Sequence, residues 1–396
     1  MITVEHALRI LYEQELPASK RIKLAVNQTV GHVLAQDLTA PIDLPPFRQS
    51  IMDGYALHLN GSSQYKLVGE IQAGSSSTFA LKLGEAVRIF TGAPVPESAN
   101  AVIMQEKTKK TNNQIELLHQ PEPGEQIRTA GSQIKKGSVP LQKGHVITPA
   151  SIGLFRSLGL EQIEVSAPPR ISILVTGDEL VEPGMPLQPG QIYESNGQVL
   201  EAALKQFGII PILKLKVKDT LKATRDTLKK ALDQSDLVLL SGGISVGDYD
   251  FVGQALNELK VRELFYKVRQ KPGKPLFFGR RKNQFVFALP GNPASTLTCF
   301  YVYVLPFLNR WQQVQSAGLL RIKLPLAAAF KNSFGRALFL KARIQDRKVH
   351  LLDYQSSATL ITFAKANALA YIPESSTHCA AGSLVELLLL PYGSSN

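Results

Sequence analysis

The sequence predicts a multidomain α/β and β chain: a central doubly wound α/β domain, an inserted β module, a discontinuous N-terminal helical domain and a small C-terminal β domain. Three observations carry this expectation. Between residues 169 and 311, apolar runs that end in glycine-bearing turns alternate with helical segments, the pattern of strands feeding crossover helices. On both sides, short alternating runs are punctuated by Gly, Pro, Ser and Asn, which favours antiparallel β structure. The chain has 396 residues, and at about 150 residues per domain it exceeds one compact module.

The elements follow in order. MITVEHALRILYEQ repeats apolar residues at helical spacing and carries Glu5 and Glu13, so it is read as a mature amphipathic helix rather than a signal peptide. This helical segment is expected to end near Ala40, before PIDLPPF. Residues 41–139, with GSS, AGSSS, TGAPVPES, KTNN and PEPGEQ between short runs, form the expected β insertion. Residues 140–168 return to a helical signature, with Thr148-Pro149 as cap and first-turn pair. Segments 1–40 and 140–168 are therefore expected to pack as one discontinuous domain. In the α/β domain, 169–311, strands are expected at 171–175, 209–217, 236–240, 264–269 and 285–289, in a largely parallel sheet. Helices are expected at 197–207, 220–234, 250–259 and 294–308. Residues 312–396, with RIKLPLAAAF, ALFLKARI, KVHLLDY and SLVELLLL, form the expected C-terminal β domain.

Apolar residues make up 44% and charged residues 19% of the chain, which excludes collagen-like, coiled-coil and disordered classes. Lys plus Arg exceed Asp plus Glu by 44 − 32 = 12. That balance favours an anionic partner and leaves nucleic acid, acidic lipid and small phosphorylated ligands open. Cys299 and Cys379 have no C-x-x-C spacing, so neither a disulfide framework nor a thiolate zinc site is implied, and a cytoplasmic location fits. Residues 283–309 carry no charge, but Pro290-Gly291-Asn292-Pro293 leaves too short an apolar helix to span about 30 Å of hydrocarbon. The seven histidines show no metal-ligand spacing, and neither G-x-S-x-G nor H-E-x-x-H occurs.

In a parallel α/β sheet, ligands collect at the carboxyl ends of the strands, where loops meet helix N-termini whose free amides attract anions. The unusual loops all fall there. They are Thr176-Gly177-Asp178-Glu179, the run from Ser241, Gly242 and Gly243 through Ser245 to Asp248 and Asp250, Lys271-Pro272-Gly273-Lys274-Pro275, and Pro290-Gly291-Asn292-Pro293 followed by Ser295. Glycines let amides approach phosphate, lysines supply charge, and carboxylates hold Mg²⁺ against phosphate oxygens. Taken singly, each loop is also an ordinary turn or helix cap. Their co-location on one rim is what marks a site for a phosphorylated ligand.

The ordered set SIMDGYA, RIFTGAPVP, ILVTGDEL, SGGISVGDYDF, KPGKP and LPGNPAS closely resembles the MoeA family of molybdopterin molybdenumtransferases and the gephyrin E domain, over nearly the whole chain. The resemblance implies an elongated homodimer of four-domain subunits with a molybdopterin-binding α/β domain. It also implies that adenylylated molybdopterin and molybdate react, with Mg²⁺, to give molybdenum cofactor and AMP. Passage of the product to molybdoenzymes or their chaperones would follow, and no nucleic acid or membrane is involved. Residue by residue, Asp53 and Thr91 match active-site positions that face the partner subunit's α/β domain. Glu179 and Asp250 match acidic positions, with Asp248 and Asp236 nearby for Mg²⁺. Ser241, Gly242, Gly243 and Ser245 would cradle phosphate or nucleotide, together with Pro290, Gly291, Asn292 and Pro293. Lys271, Lys274, Pro275, Ser295, Arg336 and Ser356 would take molybdate, because a tetrahedral dianion needs converging charged donors. Two departures stand out: Gln133 replaces the family's carboxylate after the β module, and Glu194 replaces its usual Asp. The competing readings are a non-catalytic scaffold of the gephyrin type and a nucleic-acid binder explained by charge alone, the latter lacking a basic stripe interleaved with aromatics.

Overall fold

The computed structural model describes residues 1–75, 79–244, 251–316 and 318–391. At its centre is a six-stranded sheet in the order Leu213–Val217, Ile171–Thr176, Leu237–Ser241, Gln284–Leu289, Phe277–Arg281 and Arg262–Tyr266. The first four strands are mutually parallel, and the last two join antiparallel at one edge. All six residues of Ile171–Thr176 are buried, because helices cover both faces. Ile171, Ile173 and Val175 enter one core with Leu200, Leu204 and Phe307, while Leu174 faces the other with Leu228, Leu232, Val252 and Leu256.

Several elements differ from the sequence expectation. The strand expected at 209–217 begins at Leu213, since Pro211 has no N–H to give a ladder. The one expected at 264–269 spans Arg262–Tyr266 and stops where Lys267 turns left-handed at φ 65°. Phe277–Arg281, not anticipated, pairs antiparallel, so the sheet is parallel over its first four strands and antiparallel at one edge. The helix expected at 294–308 runs longer: Pro293–Cys299, a wider π turn at Phe300–Val304, then Leu305–Trp311. Pro306, which cannot donate to the helix ladder, is the second residue after the wide turn.

The N-terminal region departs further. Helix Val4–Glu13, capped by Thr3, buries Val4, Ala7 and Leu11 in the α/β core rather than against residues 140–168. Arg310 Nη1 donates to Leu11 O at 3.2 Å, and Ile2 bridges Val268. The rest of the segment is not helical up to Ala40: Arg21–Ala25 is a strand paired antiparallel with Gln162–Ser166. These strands share a core of Val26, Leu34, Phe155 and Val165 with helix Pro149–Ser157. That helix starts as its sequence predicts: Thr148 Oγ1 accepts from Ser151 N at 3.2 Å, Ser151 Oγ accepts from Thr148 N at 3.1 Å, and Pro149 occupies the first turn.

Between them lies a sheet ordered Ala101–Met104, Gly54–Leu57, Glu85–Ile89, Gln64–Ile71, Gln114–Leu117 and Thr108–Thr111. The C-terminal sheet joins Ala337–Gln345, Ala368–Ile372, Leu384–Leu389 and Arg321–Pro325, with Lys348–Leu351 on its flank. One pairing positions the site: Gln270–Lys271, from the α/β domain, runs parallel to Ala337–Leu338 and stitches the lysine loop to the C-terminal sheet. Among the described residues, no helix is long and apolar enough to cross a membrane.

Candidate active site

The loops at the strand carboxyl ends, joined by Arg336, Ser357, Ala358 and Leu360 of the C-terminal domain, line a cavity of about 940 Å³. Its glycine end is set by close packing. Gly242 and Gly243 take φ of 91° and 65°, and a Cβ on either would lie 2.6 Å from a Thr176 oxygen. A Cβ on Gly291 would lie 3.6 Å from Gly242 Cα, so the two glycine loops pass close to one another. Asn196 links them: its Nδ2 donates to Ser241 Oγ at 2.9 Å and to Gly291 O at 2.7 Å. Its own Oδ1 and the Oγ1 of buried Thr176 have no hydrogen-bond partner among the described residues, and both residues line the cavity. Buried groups of this kind are paired as a rule, so they are available to a ligand.

The opposite end is cationic. Lys271, Lys274, Pro275, Ser295 and Arg336 line it together. The Lys271 ammonium sits 3.4 Å from the centroid of the Phe334 ring. Beneath this loop, fully buried Gln270 donates from Nε2 to Pro272 O at 3.1 Å and Gly273 O at 3.2 Å, and accepts from Tyr303 OH. Pro290, Gly291, Asn292 and Pro293 line the cavity between the two ends. Asn292 Nδ2 donates to Ser357 Oγ at 2.8 Å, and Ser295 N to Ser357 O at 3.2 Å, which ties the helix start to the C-terminal domain.

Acidic groups flank the glycine end. Glu179 lines the cavity beside Asp219. Asp178 N donates to Asp219 Oδ2 at 3.1 Å, and Asp219 N returns the bond to Asp178 Oδ1 at 3.2 Å. Burial pushes the Asp219 carboxyl above its usual range, and the charges of Asp178 and Glu179 push it further. Glu194 is buried and accepts from Gly197 N at 2.7 Å, so this longer acid caps the following helix.

Not every expected residue reaches the cavity. Asp236 sits at the opposite end of its strand, where Arg170 Nη2 holds it at 2.9 Å; it pairs with a guanidinium and is no metal ligand of this site. Ser356 is displaced by its neighbour: its Oγ accepts from Ala358 N at 3.3 Å, while Ser357 takes the cavity wall. The two serines sit in a turn closed by Thr359 N donating to Ser356 O at 3.3 Å; the Ser356 hydroxyl is used within that turn, and the Ser357 hydroxyl is the one that meets Asn292. Ser245, Asp248 and Asp250 lie outside the described residues. Asp53 and Thr91 are exposed on the inserted β module, which contributes no described residue to the cavity. There Asp53 Oδ1 accepts from Thr91 N and Thr91 Oγ1, both at 2.7 Å. Those bonds, the Thr91 hydroxyl first, hold the Asp53 carboxyl below its usual range. Gln133 is exposed in the loop that bonds Leu44, also away from the cavity. Sequence reasoning named Thr176 only as the first residue of its loop and missed Asn196, Asp219, Phe334 and Ser357 as site residues.

A doubly wound domain that gathers glycine loops, two lysines, an arginine and carboxylates around one cavity has the architecture of an α/β enzyme with a site suited to anions. Comparison with known proteins makes the assignment. The MoeA N-terminal region (domain I and II) matches residues 2–159, the probable molybdopterin binding domain 172–310, and the MoeA C-terminal region (domain IV) 323–390. The chain is 31% identical to a molybdopterin molybdenumtransferase of Staphylococcus epidermidis, over 98% of this chain and 95% of that one. It is 36% identical to one of a Nostoc species, over 91% and 87%. The crystal structure of a molybdopterin biosynthesis moeA protein from Pyrococcus horikoshii superposes with a TM-score of 0.84 at 28% identity, covering 98% of this chain and all of that one. The chain belongs to the MoeA family of molybdopterin molybdenumtransferases.

Proposed function

We propose that this protein transfers molybdenum from molybdate to adenylylated molybdopterin, in an Mg²⁺-dependent reaction that releases AMP and forms molybdenum cofactor. The observation that supports this reading is the polarity of this cavity: glycine loops beside Thr176 Oγ1 and Asn196 Oδ1, which have no partner among the described residues, at one end, and Lys271, Lys274 and Arg336 at the other. The first end suits the phosphate and nucleotide of the adenylylated pterin, with Ser241, Gly242, Gly243 and Ser245 against phosphate. The second suits an oxyanion, because charge-assisted bonds from two ammonium groups and a guanidinium offset the desolvation of a dianion. Ser295 and, in place of Ser356, Ser357 supply neutral donors there.

Mg²⁺ fits the acidic edge. Glu179 and Asp219 line the cavity with carboxylate oxygens, which suit a hard cation, and burial first, then the charges of Asp178 and Glu179, push the Asp219 carboxyl above its usual range. Glu179 would hold the ion with Asp248 and Asp250, and the bound cation would neutralise charge on the pyrophosphate bridge. Asp53 and Thr91, remote from their own cavity, are assigned to the cavity of a second subunit in a homodimer. The excess positive charge then steers anionic substrates in the cytoplasm, with delivery of product to molybdoenzymes or their chaperones.

The test titrates molybdate at saturating adenylylated molybdopterin and measures AMP release. One lost charge-assisted hydrogen bond is worth about 1.5–3 kcal/mol, so Lys274→Ala should raise the half-saturating molybdate concentration about 10- to 150-fold. Binding of the adenylylated pterin should stay near wild type. An unchanged molybdate dependence would move the oxyanion site elsewhere.

A further inference from the structure

Lys341 is the one lysine among the fully buried large side chains, 1% exposed, in the strand Ala337–Gln345. Alternation explains why it is inside. Ala337 and Phe339 face the core shared with the α/β domain, whereas Leu338, Leu340 and Ala342 face the C-terminal domain's own core. Lys341 follows the first set, on a face where its strand neighbours Ala337 and Phe339 are apolar. Burial holds its ammonium below the usual lysine range. A buried cation contributes little to stability, and apolar replacements of such groups are often neutral or better. Its presence therefore calls for a geometric explanation.

The ammonium donates to two main-chain carbonyls, Ser356 O at 2.9 Å and Tyr354 O at 3.4 Å. Gln355, between them, completes the clasp on the same residue. Its Oε1 accepts from Lys341 N at 3.0 Å, and its Nε2 donates to Lys341 O at 2.8 Å and Leu352 O at 2.7 Å. The clasped segment ends at Ser357, which meets Asn292 and Ser295 on the cavity wall.

We infer that Lys341 is the positioning residue of the oxyanion end: by holding the carbonyls of Tyr354 and Ser356, it sets Ser357 and the helix start at Asn292–Ser295 for molybdate. It touches no substrate. The inference rests on the oxyanion reading proposed above, and goes beyond it by placing control of that end in a buried side chain of another domain.

The experiment compares wild type, Lys341→Met, Lys274→Ala and Ser357→Ala. Lys341→Met keeps the unbranched stem and removes the donors. It should raise the KM for molybdate about tenfold, change kcat less than about threefold, and leave pterin affinity unchanged. Thermal unfolding should shift little, while amide exchange over 352–358 should quicken. A double variant with Ser357→Ala should show no further rise, because both changes act through one contact. If Lys341→Met does not fold, Gln355→Met, which opens the clasp from the loop side, should give the same KM rise and exchange pattern. A folded variant with wild-type molybdate KM, or an equal loss toward both substrates, overturns the inference. Should Lys274→Ala also leave molybdate dependence flat, the oxyanion reading itself has failed. A shifted Lys274→Ala with a flat Lys341→Met defeats the positioning role alone.

Discussion

Asp53 Oδ1 accepts both the main-chain N–H and the hydroxyl of Thr91 at 2.7 Å, on a module that lends no described residue to its own subunit's cavity. The pair is exposed, so its two bonds do little for folding, and both fall on one carboxylate oxygen. If the other oxygen serves a partner's cavity, Asp53 and Glu179 belong to one site drawn from two chains.

Asp53→Ala and Glu179→Ala homodimers are accordingly expected to be inactive while their mixture recovers activity. Random exchange gives half heterodimers with one intact site each, or about a quarter of wild-type turnover. AMP release measured after verified subunit exchange checks this; no recovery would place both residues in one subunit's site.

Phe334 holds the Lys271 ammonium against its ring at the cavity rim. A cation–π contact at an exposed site is worth about 0.5–1 kcal/mol, so Phe334→Leu should raise molybdate KM about two- to fivefold. Steady-state kinetics at varied molybdate would show it, with a circular dichroism melt close to wild type. A KM at or below the wild-type value would mean that the ring competes for the lysine rather than orienting it.

Gly273 has φ 87°, and a Cβ there would meet Cys299 Sγ at 2.5 Å and Gln270 Nε2 at 2.9 Å. Both neighbours are buried and cannot retreat. Backbone strain and overpacking together should make Gly273→Ala about 2–4 kcal/mol less stable. Denaturant unfolding measures the loss, and a change under 1 kcal/mol would show that the lysine loop is more yielding than its packing implies.

Asp219 offers a pH-dependent test. A carboxyl whose folded pKa is raised contributes fully below its unfolded value, near 3.8, and that contribution is lost as pH rises through the folded value. At neutral pH the ionised side chain is therefore a net cost. Asp219→Asn should raise Tm at pH 7 and give no gain below about pH 3.8, and Mg²⁺ should stabilise wild type more than the variant. Equal Tm values at pH 7 would remove the proposed repulsion with Asp178 and Glu179.

Much of the site could be read in the chain because its markers are local. ISILV, DLVLL and FVFAL are strands by composition alone, and the Gly and Pro residues after them fix where each strand turns, so the loops had to meet on one rim. The Thr148-Pro149 helix start is equally local, since its bonds join residues three apart. Asp236 opens the expected strand 236–240, so chain direction already sets it at the amino end, away from the carboxyl-end loops, and its pairing with Arg170 agrees.

What tertiary structure alone decided is every choice made by distant partners. Helix Val4–Glu13 is amphipathic by sequence, but its apolar stripe fits any apolar surface, and the α/β core rather than residues 140–168 receives it. Ser356 and Ser357 are chemically identical neighbours, and only the folded chain shows Ser357 meeting Asn292 while the Ser356 carbonyl goes to Lys341. Local signals bias φ, ψ and burial residue by residue. The pairing of Gln270–Lys271 with Ala337–Leu338, which brings lysine and arginine to one cavity, depends on contacts more than sixty residues apart along the chain, a separation no local pattern encodes.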